Sequence, residues 1–411
     1  MKKVKMIVFL VVIAMSVLCF GVKEKDEKKS KRKPKHYSVN AAVFYPLSIN
    51  KSKYDSADVN LSLFYGRIDE VRGFDFSCFV SAVGDEMRGV QLTGLASVTG
   101  DTMKGVQMSG IVNVAGDTVK GLQAAGIGNV AGDTVKGVQA SGIFNIAGDK
   151  VRGIQGSAIF NITGEDFKGI QGTGIFNITG EDFTGIQGAD IFNIVGENFT
   201  GVQGSGIFNI TGENFSGLQG SGILNVTGGT MRGVQLGVVN VAGKSRGVQL
   251  GIVNYAKKNL GVPVGIVNIA QNGRIRMTAW GSNVSAFNLG AKFIVGHVYS
   301  IVSVGGNNIY KDISNAVSYG FFYGVHFPFR KMFFDMDAGY MTLDNDKFFK
   351  SIEGDRDQHV LMLRGALGFD ITRKFSVFAG GGLHYSWDHG RDVEFNSGEA
   401  KPMFFAGIEL F

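Results

Sequence analysis

A sixteen-residue unit of the type Gly-Val-Gln-x-Ser-Gly-Ile-Phe-Asn-Ile-x-Gly recurs from about Gly73 to Ala270. Its Gly-x-Gln step falls at Gly89/Gln91, Gly105/Gln107, Gly121/Gln123, Gly137/Gln139, Gly153/Gln155 and onward to Gly233/Gln235. Two shorter copies start at Gly247 and Gly261, with Pro263 in the last glutamine position. Upstream, 73–88 is a degenerate copy carrying Asp75 and Ser81 where the others have Gln and Asn, which makes about thirteen coils. Self-similarity at a fixed period demands an architecture in which each unit buries itself against its neighbours.

Each unit is either one long strand, as in a barrel wall, or two short strands joined by corners. Val138 and Ile143 are five residues apart and would face opposite sides of one continuous strand. From Gln139 to Asn145 there are six steps, but from Gln235 to Asn240 only five. On a single strand that deletion flips every later side chain, whereas a corner absorbs it. The expectation is a Gly-rich, two-sheeted β-solenoid with strands near 138–140 and 143–147 and corners at 141–142 and 148–152. The aliphatic positions of Val138, Ile143, Ile146 and Val151, the last replaced by Phe167, Phe183, Phe199 and Phe215, are its expected core.

Stacking turns sequence positions into columns. Asn113, Asn129, Asn145, Asn161, Asn177, Asn193, Asn209, Asn225, Asn240, Asn254 and Asn268 form an amide ladder. The glutamines form a second ladder or an outward binding stripe. Asp101, Asp117, Asp133, Asp149, Glu165, Glu181, Glu197 and Glu213 form an acidic column, offset by Lys104, Lys120, Lys136, Arg152 and Lys168 three residues on. Calcium is a conceivable ligand for the coils lacking the base, but the calcium-binding Gly-Gly-x-Gly-x-Asp pattern is absent, so no metal is expected.

The formal charge of +6 is concentrated at the start of the chain, where 1–5 and 23–36 together carry +8 and leave the rest at −2. That excludes a nucleic-acid groove. Residues 1–22 read as a secretory signal, with an uncleaved anchor as the alternative. Residues 23–36 read as a basic linker, either a solvated tether or a contact for anionic headgroups or envelope polymer. Cys19 sits where a lipoprotein signal would place its cysteine, although Leu18 is bulky for such a site. Cys78 is then the one cysteine of a cleaved chain, expected as a buried small residue with no disulfide.

Beyond about Ala286 long alternating strands replace the repeat. Val317, Tyr319, Phe321, Tyr323, Val325, Phe327 and Phe329 share one face, with Ser318, Gly320, Phe322, Gly324 and His326 on the other. Short links at 296–297, 330–331 and 372–374 alternate with long polar ones at 305–316, 344–358 and 388–401. That asymmetry, and the final Phe411, are features of antiparallel outer-membrane-type β-barrels, although Glu409 departs from their apolar ending. Seven strands are expected, at 286–295, 298–304, 317–328, 332–342, 359–371, 375–387 and 402–411. Residues 37–47 are offered as the probable first barrel strand, making eight and leaving 58–285 as a solenoid insertion with its caps on the outer face of the cell. Alternatively 58–68 and 274–281 join as well, giving ten strands and a periplasmic solenoid.

The histidines at 36, 297, 326, 359, 384 and 389 show no metal-ligand spacing, and no nucleophile, Walker or CxxC motif is present, so no catalytic, cofactor-binding or metal residues are assigned. His326 and His384 are placed in the lumen, with Asp335, Asp337, Arg364 and Asp370 as an ionic plug. The units Gly-Val-Gln-Leu-Gly-Val-Val-Asn-Val-Ala-Gly (233–243) and Gly-Val-Gln-Leu-Gly-Ile-Val-Asn-Tyr-Ala (247–256) resemble those of bacterial surface-repeat proteins of unknown function. The resemblance covers about half the chain and implies an envelope location, with no binding residues to carry over. The expected function is a non-enzymatic structural or adhesive protein at the outer membrane and cell surface of a diderm bacterium. Outer-membrane lipid is its expected partner, beside a surface ligand or envelope polymer. A transport pore with an accessory solenoid and an enzyme in the barrel lumen are the alternatives.

Overall fold

The computed structural model describes residues 33–308, 317–344, 357–389 and 400–411. They form an all-β chain, a parallel β-solenoid of about 15 turns followed by a closed eight-stranded antiparallel barrel. The expected signal, Cys19, most of the basic linker and the middles of the three long connections lie outside the described residues. The chain divides at Gly229 into two compact units.

In the first unit a coil is one strand such as Val151–Ser157, a bend, and a shorter strand such as Phe160–Thr163. Equivalent residues pair in parallel register, Val135 with Val151, Gly137 with Gly153, Gln139 with Gln155. The long strand is longer than expected because it passes through Gly153 at φ +148°, where an added Cβ would lie 1.8 Å from the Gly137 carbonyl oxygen. Only glycine fits that approach.

The coil's interior differs from expectation. Gln155 and Asn161 are fully buried, while Ile154 is 45% exposed and Val138 is half-buried. Residues 151 and 155 are four apart and share a face, so the Val151/Phe167 column carries the glutamines inward and puts Ile154 out. Ile146 is buried, but its equivalents Ile162, Ile178, Ile194 and Ile210, which alternate with the inward asparagines, are only half-buried, as is Ile143. Cys78, expected inside, is exposed at a corner.

The solenoid also begins earlier than the repeat does. His36–Phe44 pairs in parallel with Ser56–Ile68, which pairs in turn with Glu70–Ser77. Residues 37–47 are therefore solenoid and not barrel. Their alternation suits either role, because the solenoid's outer wall is itself apolar here: Val39 is 51% and Val43 43% exposed, while Asn40 is buried and donates to Asn60 Oδ1 at 2.7 Å.

The second unit opens with the last coils. Val239–Ser245 and Val253–Asn259 pair in parallel with Asn240 opposite Asn254, and Gln235 lies opposite Gln249. Gln235 and Asn240 are both buried, so the bend at Gly237 absorbs the missing residue as the spacing required.

Arg274–Ser282 is the first barrel strand, pairing with both Ser285–Val295 and the final strand Lys401–Leu410 to close the cylinder. The boundary is thus near 272 instead of 285, and the solenoid precedes the barrel instead of interrupting it. Between first and last strands run Val298–Asn308, Val317–Phe329, Met332–Asp344, Asp357–Thr372 and Phe375–His389. The two-residue turns at 296–297, 330–331 and 373–374 lie at the end where Arg274 enters, and Phe411 is there too, its N–H donating to the Lys374 carbonyl at 2.7 Å. The last coil packs on the barrel's outer side near this end. Asn268 Nδ2 donates to Ser300 Oγ (3.1 Å), Ser300 Oγ to the Ile266 carbonyl (2.9 Å) and the Tyr323 hydroxyl to the Pro263 carbonyl (3.0 Å).

Candidate functional site

Strand alternation gives the barrel two chemically opposite faces. Outward positions of two adjacent strands read Leu361, Leu363, Gly365, Leu367, Phe369, Ile371 and Val377, Ala379, Gly381, Leu383, Tyr385, Trp387, with no acid, lysine or arginine. Leu363 is 56%, Leu367 60% and Phe404 66% exposed. At the long-connection end Tyr340, His359 and Trp387 cluster with ring centroids 5.5–6.3 Å apart. Toward the short-turn end Phe327 stacks on Phe334 at 6.5 Å. An apolar wall this extensive, edged by aromatics, is costly in water and suits hydrocarbon.

Inside, the side chains are ionic. Lys292, 2% exposed, bonds Asp335 and also Glu409 at 2.7 Å. The other oxygen of Asp335 meets His326 Nδ1 at 2.6 Å. Arg276 donates to Glu409 (3.0 Å), Ser376 (2.8 Å) and Asp370 (3.3 Å). Arg364 grips Asp337 through Nε and an Nη at 2.8 and 3.0 Å, and the Tyr299 hydroxyl donates to the same carboxylate at 2.6 Å. The Arg364 guanidinium lies 3.6 Å from the Phe322 ring centroid, with Trp280 and Phe405 beside it. Each of these buried charges therefore meets an opposite charge and further hydrogen bonds, the condition under which burial is tolerated. The space left among these groups is about 20 Å³, about enough for one water.

His326, Asp335, Asp337, Arg364 and Asp370, expected in the lumen, thus come together. His384 is buried in the lumen but apart from the network, with neither ring nitrogen hydrogen-bonded. Sequence reasoning missed Lys292, Tyr299 and Glu409 as partners, although the inward parity of their strands, and Glu409's break with the apolar ending, carried the signal. Arg276 is not legible in the same way, because 274–281 alternates as 37–47 does and nothing local marks it as the barrel's closing strand.

In the solenoid both amide columns are ladders. Gln155 Nε2 donates back to Gln139 Oε1 at 2.8 Å, while Asn145 Nδ2 donates forward to Asn161 Oδ1 at 2.9 Å. The acidic column follows a corner, where Lys150 pairs with Asp166 at 2.6 Å. Among the described residues no three His, Cys, Asp or Glu side chains form a metal-holding group.

No family model matches this chain, and no curated protein does. Among solved structures it is similar to the crystal structure of the N-terminal β-barrel domain of OprF from Pseudomonas aeruginosa. The identity is 16% and the TM-score 0.24, covering 34% of this chain and 100% of that one.

Proposed function

We propose that this is an exported outer-membrane protein in which the barrel is a sealed anchor and the solenoid a non-catalytic structural rod. The observation that carries the reading is the pairing of an uncharged apolar outer wall with a lumen closed by ion pairs. The signal-like segment 1–22 and the resemblance to surface-repeat proteins support export. Membrane barrels of this type keep short turns on the periplasmic side. The chain preceding Arg274 emerges at the short-turn end, so the reading puts the solenoid in the periplasm. The outer-face placement expected above rested on residues 37–47 opening the barrel, a place that Arg274–Ser282 occupies.

Protease treatment of intact and of outer-membrane-permeabilised cells tests this. Repeat peptides are expected only after permeabilisation, with the barrel remaining heat-modifiable on gels. Release of repeat peptides from intact cells would restore the cell-surface adhesin, and a chain that is soluble without detergent would remove the anchor.

A further inference from the structure

The coils of the second unit differ in charge from those before them. Every sixteen-residue copy from Asp101 to Glu213 contains an acid, yet no Asp or Glu occurs between Glu213 and Asp312. Over part of that span Arg232, Lys244, Arg246, Lys257 and Lys258 lie on three successive coils. Lys244 and Lys258 are register partners on adjacent parallel strands, about 4.8 Å apart along the backbone. Arg246 is tied to the coil before by its N–H, which donates to the Met231 carbonyl at 2.9 Å. Arg246 first, then burial, Lys258 and Arg232 hold the Lys244 ammonium below the usual lysine range. Like charges gathered this closely repel one another, a cost that an anionic ligand would relieve.

The patch has a definite position against the barrel. Asn259, next to Lys258, accepts through its carbonyl from Asn272 Nδ2 at 2.7 Å, while its N–H donates to Asn272 Oδ1 at 2.8 Å. Asn272 lies two residues before the first barrel strand, whose outward Ile275 is 49% exposed. Leu260, beside the lysines, is 54% exposed. Cations, an exposed leucine and the edge of the apolar barrel wall are therefore contiguous at the short-turn end. A polyanion in free solution would account for the cations alone; a bilayer surface accounts for all three.

We infer that the last three coils, through Arg232, Lys244, Arg246 and Lys258, bind the anionic phospholipid headgroups of the leaflet at the barrel's short-turn end. This rests on the membrane reading above. It makes these coils a lipid-clamped collar at the barrel's entrance.

The test uses the full chain refolded into bilayers of phosphatidylcholine alone and of phosphatidylcholine mixed with phosphatidylglycerol, with barrel folding scored by heat modifiability. Amine acetylation of Lys244 and Lys258 is then read by mass spectrometry. Slower labelling in the anionic bilayer is expected, about fivefold per residue, and reversed by high salt. A second measurement guards against misfolding: phosphatidylglycerol retained on detergent extraction should fall in K244Q/R246Q/K258Q while its barrel stays heat-modifiable. Equal labelling in both bilayers with the barrel folded overturns the collar alone. Equal protection by inorganic phosphate reassigns the patch to free anions and overturns it too. A barrel that folds in neither bilayer overturns the membrane reading itself.

Discussion

Two files of buried donors converge on Asp75. Asn40 donates to Asn60, whose Nδ2 donates to Asp75 Oδ1 at 2.7 Å, and Gln91 Nε2 and the Ser81 hydroxyl reach Oδ2 at 2.8 and 2.5 Å. The glutamines that follow point the same way, Gln123 onto Gln107 and Gln107 onto Gln91. An acceptor-only group therefore terminates the ladder where a glutamine would present a surplus donor. The carboxyl is fully buried, and burial raises its pKa against the lowering effect of the Ser81, Asn60 and Gln91 bonds. A raised folded pKa means that Asp75's contribution is fully present below the ordinary value of about 3.9 and is lost as pH rises through the folded value. Relative to D75N, which cannot titrate, wild-type hydrogen-exchange protection over 60–91 should therefore improve as pH falls from neutral. A pH-independent difference would show that the carboxyl's burial has no energetic consequence. Asp75→Leu, which strands three donors, should cost several kcal/mol at about 1–3 kcal/mol each.

At the scale of a coil, the same residue type has opposite consequences three positions apart. An added Cβ at Gly153 would lie 1.8 Å from a backbone oxygen in a left-handed conformation, whereas at Gly156 it would meet nothing within 4 Å. Gly153→Ala should lose several kcal/mol because neither the backbone nor its neighbour can give way. Gly156→Ala should lie within about 0.5 kcal/mol of wild type. Urea melts of the two variants measure this, and equal effects would mean that the close approach is not maintained in solution. The polar interior is stable for a related reason: each glutamine amide is both donor and acceptor in line with its neighbours, so burial leaves little unsatisfied and the aligned dipoles reinforce one another. The asparagine file runs the other way, which limits any net axial dipole.

For the whole molecule, the proposal that the barrel is a sealed anchor forecasts transport behaviour. With about 20 Å³ among the ion pairs, the reconstituted protein should add no steady conductance to a planar bilayer, since eight strands leave room for side chains and little else. A lasting channel would revive the pore reading and require the network around Lys292 to open.

The repeat, its corners and the lumen residues His326, Asp335, Asp337, Arg364 and Asp370 were legible in the chain, because period, a one-residue deletion and strand parity are local quantities. Parity defines two faces without saying which is inside. Gln155 and Asn161 are interior only because adjacent coils satisfy their amides, a condition no single repeat carries. The closing strand was equally open, since 37–47 and 274–281 alternate alike. Only long-range pairing, Asn40 into the ladder toward Asp75 and Trp280 opposite Gly407, decided that the solenoid comes first in the chain and that the chain enters the barrel at its short-turn end.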